Sequence, residues 1–170
     1  CSGEEYKLHR CVLHKVVQLG GKSYFWLEKT NVVSMIQEYQ VSGFRVREYE
    51  ELGSTNTEAE RVGWSELEDK MVILTYRQAQ GRGQVGNHWE SEPGKNISMT
   101  VVFKPRELPA GQQFAVSMVI ALGACDFISR YVNECSVKWP NDIYVGDRKI
   151  SGILIEHSIM GRYVGGSLCG

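Results

Sequence analysis

Two observations in the sequence predict an α+β fold, a largely antiparallel mixed sheet with helices packed on one face. Strand-length apolar or alternating runs outnumber helical ones along the chain. The late runs are separated by two-residue turns, a connection that only antiparallel neighbours can use.

The elements follow in order. Residues 1–42 are the least legible. Val32, Val33, Met35, Ile36 and Tyr39 recur at helical spacing, with Thr30 or Asn31 as a cap, and so predict a helix. Gly43 begins a new segment in which Phe44 and Val46 alternate with arginines, as on a half-buried strand. Ser54-Thr55-Asn56-Thr57-Glu58 is a helix entry. Thr55 with Glu58, or Thr57 with Glu60, has capping-box spacing. Met71 to Tyr76 is a continuous apolar run of strand length. Residues 77–95 are polar and glycine-rich and predict a long loop, a length usually associated with function or disorder.

Ile97, Met99, Val101 and Phe103 alternate as a strand. Gln112 to Val132 reads as a long helix, apolar on most of its circumference and therefore expected to be buried. Ser136–Trp139, Asp142–Val145 and Lys149–Glu156 read as strands. Gly146-Asp147 suits a type II′ hairpin, which needs Gly at its first central position. A turn near Met160-Gly161 leads to a last strand ending at Gly170.

The chain has 170 residues, a net charge of -1 and 42% hydrophobic residues, which bounds it at one globular domain with a short appendage. The balanced charge gives no electrostatic basis for nucleic-acid binding. Five cysteines form an odd set without paired spacing, which reads as a reducing, cytoplasmic setting rather than a disulfide framework. No signal-peptide pattern is present. The longest apolar stretch, Phe114 to Cys125, is short for a bilayer span and predicts no membrane association. The chain opens on Cys1 and closes on a rising apolar pattern, as a fragment or trimmed chain would.

Two segments carry chemistry. The first is Gln78-Ala79-Gln80-Gly81-Arg82-Gly83-Gln84, continuing to Trp89. Its glycines let backbone N–H groups approach an anion, and Arg82 offers a planar fork suited to carboxylate or phosphate. The competing reading is a mobile surface loop. It is not a P-loop: the one Gly-Lys-Ser triplet, Gly21-Lys22-Ser23, has Val16 where the leading glycine belongs. It is not a dinucleotide fingerprint either, because it precedes a strand and not a helix.

The second segment is Lys138-Trp139-Pro140-Asn141-Asp142. A lysine between Val137 and Trp139 must snorkel or meet an anion, since a buried unpaired ammonium is costly. Pro140 ends the strand, and Asn141 and Asp142 place an amide and a carboxylate at its end. The bland alternative is an edge strand with a surface lysine and an Asn-Asp turn. His9, Cys11 and His14 lie close in sequence but lack a second ligand cluster, so no metal site is assigned. Trp26 and Trp64 read as packing residues.

Taken in order, Ser54-Thr55-Asn56, Gln78, Gly81-Arg82-Gly83, Trp89-Glu90-Ser91, Lys138-Trp139-Pro140-Asn141-Asp142, Lys149 and Gly152-Ile153-Leu154 resemble the catalytic domain of biotin–protein ligases of bacterial type. The resemblance spans roughly residues 44–170. It implies a fold like that of class II aminoacyl-tRNA synthetases. It also implies a two-step reaction: biotin and MgATP give biotinyl-5′-adenylate and pyrophosphate, and the acyl group then passes to a lysine of a biotin carboxyl carrier domain, as in acetyl-CoA carboxylase.

On this resemblance Lys138 and Arg82 would be catalytic, neutralising charge at the carboxylate and the α-phosphate. Ser54, Thr55, Asn56, Gln78, Gly81, Gly83, Gly152 and Leu154 would join them around biotin. Gln84, Trp89, Asn141 and Asp142 would serve the nucleotide and its magnesium, with Trp89 packed on the biotin tail or near the adenine. Many members carry arginine where this chain has Gln84, which implies weaker adenylate retention.

The expected organisation is an N-terminal extension over 1–42 and a C-terminally truncated catalytic domain over 43–170. Residues 1–42 contain no basic recognition helix, so repressor activity is not expected. A homodimer formed through a sheet edge is compatible with this architecture. The rival readings are a lipoate–protein ligase and a non-catalytic biotin- or adenylate-binding module.

Overall fold

The computed structural model describes residues 16–19, 22–25 and 34–170. The chain divides into two units, residues 1–32 and 33–170. In the first, β1 (Val16–Leu19) pairs antiparallel with β2 (Lys22–Phe25). His9, Cys11, His14, Trp26, Thr30 and Asn31 lie outside the described residues.

The second unit is built on a six-stranded sheet of order β12-β13-β8-β5-β4-β3. Its first strand corrects a sequence expectation. Met35–Val41 is not helical but forms β3, which joins β4 (Phe44–Tyr49) through the two-residue turn Ser42-Gly43. Both turn residues have positive φ, 48° and 80°, as a type I′ hairpin requires. The helical spacing of a few apolar residues is a weak local preference, and the ladder with β4 overrides it. Residues 35–42 therefore belong to the sheet-bearing unit and not to an extension.

β4 runs parallel to β5 (Met71–Thr75), and parallel neighbours need a crossover. The helix α1 (Thr55–Val62) supplies it. Its N-cap is Ser54, whose hydroxyl accepts from the Thr57 N–H, so the cap sits one residue before the earlier of the two expected capping boxes. β5 is buried along its whole length and pairs antiparallel with β8 (Ser98–Phe103). α1 covers one face of these strands. Tyr49, Leu52, Ala59, Leu67, Met71, Ile73, Val102 and Leu168 form the core there, with Trp64 packed against it, as a packing residue would be. Val46, Val72 and Leu74 form a second cluster. Burying an Ile73-sized side chain is worth about 1.5–3 kcal/mol.

The loop expected over 77–95 has internal order. β6 (Gly81–Arg82) pairs with β7 (His88–Trp89) around a single 3₁₀ turn at Gln84–Gly86.

The long helix α2 runs from Phe114 to Ile128, preceded by a 3₁₀ turn at Ala110–Gln112. It is shorter than expected, and it is not wrapped in protein: only Val116 and Ala121 are buried, while Val119, Leu122 and Phe127 are exposed. The continuous stretch Ala110–Ile128, 19 residues, is long and apolar enough to cross a membrane by length and composition. One side of it packs on a small three-stranded sheet, where Ala121 meets Ile143 and Ile153. That sheet contains β9 (Cys135–Lys138), β10 (Asp142–Val145) and β11 (Arg148–Gly152), with β10 in the middle. The β10–β11 turn places Gly146 at φ 54°, as its first central position demands.

The single strand expected over 149–156 is broken. Ile153 donates its backbone N–H to Asn141 O at 2.9 Å, whereas Leu154 pairs with Gly170. β12 (Ile155–Met160) then returns to the large sheet and pairs with β13 (Tyr163–Cys169). The chain thus steps from one sheet to the other at Ile153-Leu154. The α+β class and the mostly antiparallel pairing agree with the sequence prediction.

Candidate active site

The site begins where β4 hands over to α1. Leu52 and Gly53 are zipped to residues 77–80 by backbone hydrogen bonds: Leu52 N–H to Arg77 O at 3.0 Å, Ala79 N–H to Leu52 O at 2.9 Å and Gln80 N–H to Gly53 O at 2.7 Å. This fixes Gln78 beneath the first turn of α1. Gln78 Oε1 accepts from the Thr55 N–H at 3.0 Å and lies 3.4 Å from the Thr55 hydroxyl. A helix leaves its first N–H groups without intrahelical partners, and here a side chain from another segment satisfies one of them.

Ser54, Thr55 and Asn56 are buried. Thr100 on β8, fully buried, places its hydroxyl 2.5 Å from Asn56 Oδ1 and 2.8 Å from Thr55 Oγ1. The Thr100 proton goes to the amide oxygen, which has none to give. The amide nitrogen of Asn56 donates to Glu156 Oε2 at 2.8 Å and to Leu154 O at 3.3 Å. Glu156 Oε2 is also 2.8 Å from Arg82 Nη2, and Glu60 Oε1 lies 3.3 Å from the same nitrogen. A polar chain therefore runs from the sheet interior through Asn56 and Glu156 to the guanidinium of the glycine-rich segment.

Arg82 stands on the wall of a cavity of about 760 Å³ that also borders Gly53, Ser54, Gln78, Gly81 and Trp89. The hairpin β6–β7 forms this wall. Gly81 is forced by close approach: a Cβ there would lie 2.5 Å from Trp89 O and 2.8 Å from Gln78 Nε2. Gly83 donates its N–H to Asn87 O at 2.7 Å and closes the hairpin. Gln84, at its tip, is exposed.

The second motif lies on the small sheet. Register places Lys138, Asp142 and Gly152 abreast on β9, β10 and β11. Lys138 is exposed, with Nζ 3.4 Å from Tyr144 Oη and 5.2 Å from the ring centroid. Lys138 is not among the residues that line the cavity Arg82 borders. Asp142 pairs with Lys149 Nζ at 2.7 Å. Lys149 Nζ in turn lies 5.3 Å from the Trp89 ring centroid, and a Cβ at Gly152 would meet that ring at 3.0 Å. Trp89 is thus the contact between the glycine-rich hairpin and the small sheet.

Asn141 uses its amide to donate to Ile153 O at 2.7 Å, which holds the step between the sheets. The Trp139–Pro140 peptide is cis, and the Trp139 ring packs edge-on against Phe114 at 4.8 Å. Leu154 exchanges both backbone hydrogen bonds with Gly170.

The structure therefore gathers Ser54, Thr55, Asn56, Gln78, Gly81, Gly83, Arg82 and Trp89 around one cavity or its immediate support. It sets Gly152 and Asp142 beside them through Trp89 and Lys149. It leaves Lys138 on the row leading toward that contact. Sequence reading missed Thr100 and Glu156. Thr100 reads as the polar side of an alternating strand. Glu156 follows Gly152-Ile153-Leu154 by two residues, and the one available signal was a carboxylate closing an apolar run. No group of three or more His, Cys, Asp or Glu residues able to hold a metal occurs among the described residues.

The chain resembles known proteins in both sequence and fold. A family model for the biotin/lipoate A/B protein ligase family matches residues 49–169. The bifunctional ligase/repressor BirA of Escherichia coli K12 is 29% identical over 168 residues, covering 91% of this chain and 51% of that protein. The biotin–[acetyl-CoA-carboxylase] ligase of Paracoccus denitrificans is 32% identical over 107 residues, covering 62% of this chain and 44% of that protein. The biotin acetyl coenzyme A carboxylase synthetase of Helicobacter pylori, solved with bound biotinylated ATP, superposes with a TM-score of 0.53 at 28% identity, covering 73% of this chain and 57% of that one. The chain spans about half the length of the curated relatives it matches.

Proposed function

The chain belongs to the biotin/lipoate A/B protein ligase family, and from that premise we propose that it is the catalytic portion of an ATP-dependent biotin–protein ligase. It would form biotinyl-5′-adenylate and transfer biotin to a lysine of a carrier domain such as that of acetyl-CoA carboxylase. The observation that carries this reading is the cavity: Ser54, Gln78, Gly81, Arg82 and Trp89, singled out by motif, all line it. The names of the relatives, biotin ligases in each case, favour biotin over lipoate.

The chemistry follows from the charges. A carboxylate is a poor electrophile, and adenylation converts it into a mixed anhydride that an amine can attack. As a carboxylate oxygen approaches the α-phosphorus, negative charge accumulates, and fixed cations near that point lower the barrier. In this proposal Arg82 receives the acid at the cavity wall. Lys138 joins it on the phosphate when the hairpin tip, beyond the Trp89 contact already made with the small sheet, closes over the ligand. Closure would also exclude water from an intermediate that hydrolyses readily. Ser54, Thr55, Asn56, Gly83, Gly152 and Leu154 frame the acid. Gln84, Asn141 and Asp142 stand toward the nucleotide, whose magnesium enters with it as MgATP. A cytoplasmic setting suits these substrates. Homodimerisation would use a sheet edge, either β3 or β12.

Biotin-dependent ATP–pyrophosphate exchange tests the proposal, with lipoate as the comparison acid. Exchange with biotin alone is expected. Arg82→Ala and Lys138→Ala should each lower its rate by about 10²–10³-fold, the usual cost of removing one preorganised charge-stabilising group. A Lys138→Ala protein that exchanges at the wild-type rate removes Lys138 from the mechanism. A protein stabilised by biotin but silent in exchange would be a binding module.

A further inference from the structure

We propose that Glu156 is a positioning residue: an internal carboxylate that holds Arg82 in the free protein and is displaced when an anionic ligand enters the cavity. Glu156 is not part of the cavity wall, whereas Arg82 is. The two meet at 2.8 Å. The guanidinium is thus shared between a resident carboxylate and the space a ligand would fill. This inference rests on the ligase reading only for the identity of the acid.

The two ends of the Glu156–Arg82 pair differ in how firmly they are held. On one side, Glu156 Oε2 accepts from the Asn56 amide at 2.8 Å, and Asn56 is buried and fixed by Thr100 at 2.5 Å. Glu156 therefore keeps a rigid partner whether or not Arg82 stays. On the other side, the pair itself is open to solvent, with side-chain exposures of 38% for Arg82 and 33% for Glu156. Exposed ion pairs are weak because water screens them. An incoming carboxylate or phosphate, presented bidentate to the guanidinium, can exchange with Glu156 at small cost. Glu60 touches the same nitrogen at 3.3 Å but has no buried anchor, so it lacks the fixed geometry of Glu156.

Such an arrangement preorganises Arg82 at the wall and levies a modest competition on ligand binding. Removing the Glu156 charge while keeping its shape removes the competition. In Glu156→Gln the dissociation constant for biotin, measured by calorimetry, is expected to fall roughly two- to fivefold, the range of a screened ion pair. The rate constant of biotin-dependent pyrophosphate exchange is expected not to rise with it, because Arg82 loses its orienting partner. Glu60→Gln should leave the biotin dissociation constant within about twofold of wild type on the same scale. An unchanged or weakened biotin affinity in Glu156→Gln overturns the proposal.

A second readout does not depend on the ligase reading. Phenylglyoxal labelling of Arg82, followed by peptide mass spectrometry, should be several-fold faster in Glu156→Gln than in wild type. Glu156→Thr, a β-branched replacement suited to a strand, should move labelling in the same direction. Should wild type bind no biotin, the ligase reading fails and labelling alone decides: equal rates in wild type and variants overturn the role given to Glu156.

Discussion

Single residues in this protein act through closeness of approach. At Gly81 the hairpin carries Arg82 past Trp89 with no room for a methyl group. Gly81→Ala is expected to spread β6 from β7, cost roughly 1–3 kcal/mol as overpacking does, and abolish biotin-dependent exchange. A thermal melt beside the exchange assay checks both effects. Thr100 is the other sensitive position. Thr100→Val keeps shape but removes the hydroxyl proton, leaving Asn56 Oδ1 buried without its donor. The expected loss is about 1–3 kcal/mol in a denaturant titration, because a buried acceptor is left unsatisfied. A Thr100→Val protein as stable as wild type would show that this hydroxyl anchors nothing.

The elements show how much of this was readable along the chain. The alternation of Ile97, Met99, Val101 and Phe103 does mark a strand, but the pleat buries Ser98, Thr100 and Val102 instead and leaves Met99 and Phe103 exposed. Alternation gives the period, and only the neighbour packed on each face decides which phase is inside. In α2 the apolar character is just as plain, yet one side alone meets the small sheet. Val119→Lys and Leu122→Gln on its open side are expected to shift stability by no more than about 0.5 kcal/mol. Ala121→Leu, against Ile143 and Ile153, should cost about 1–3 kcal/mol. Chemical denaturation of the three variants separates the two sides. Strand β3 was misread because a short apolar spacing cannot distinguish a helix from a strand that its hairpin partner holds extended.

Across the whole molecule, two titratable groups, the half-buried His157 and the buried Cys169, link stability and reactivity to solution conditions. Burial lowers the pKa of His157 from 6.5. The unfolded chain then binds more protons than the folded one in the window below 6.5, so stability falls as pH drops through that window and is constant above it. Melting temperatures from pH 8 to pH 5 should show this limb in wild type and a flatter one in His157→Gln. A limb unchanged by the substitution would assign the effect to other groups. Burial pushes the Cys169 thiol up to about 12, so it should resist alkylation at neutral pH in the folded protein and react on unfolding.

By itself the sequence determined the α+β class, most strands, both helices, the turns at Gly146 and Gly161, and the motif residues of one cavity wall. These rest on local periodicity, turn chemistry and short spacings, all of which are written within a few residues. Tertiary structure alone decided that Asn56 meets Glu156 across 100 positions and that Arg82 meets Glu156 across 74. It alone decided that Trp89 joins the hairpin to the small sheet, and that Lys138 rests on Tyr144. Such contacts arise when separate strands fall into register and bring distant side chains within bonding distance, and no local pattern in the chain encodes which partner each will find.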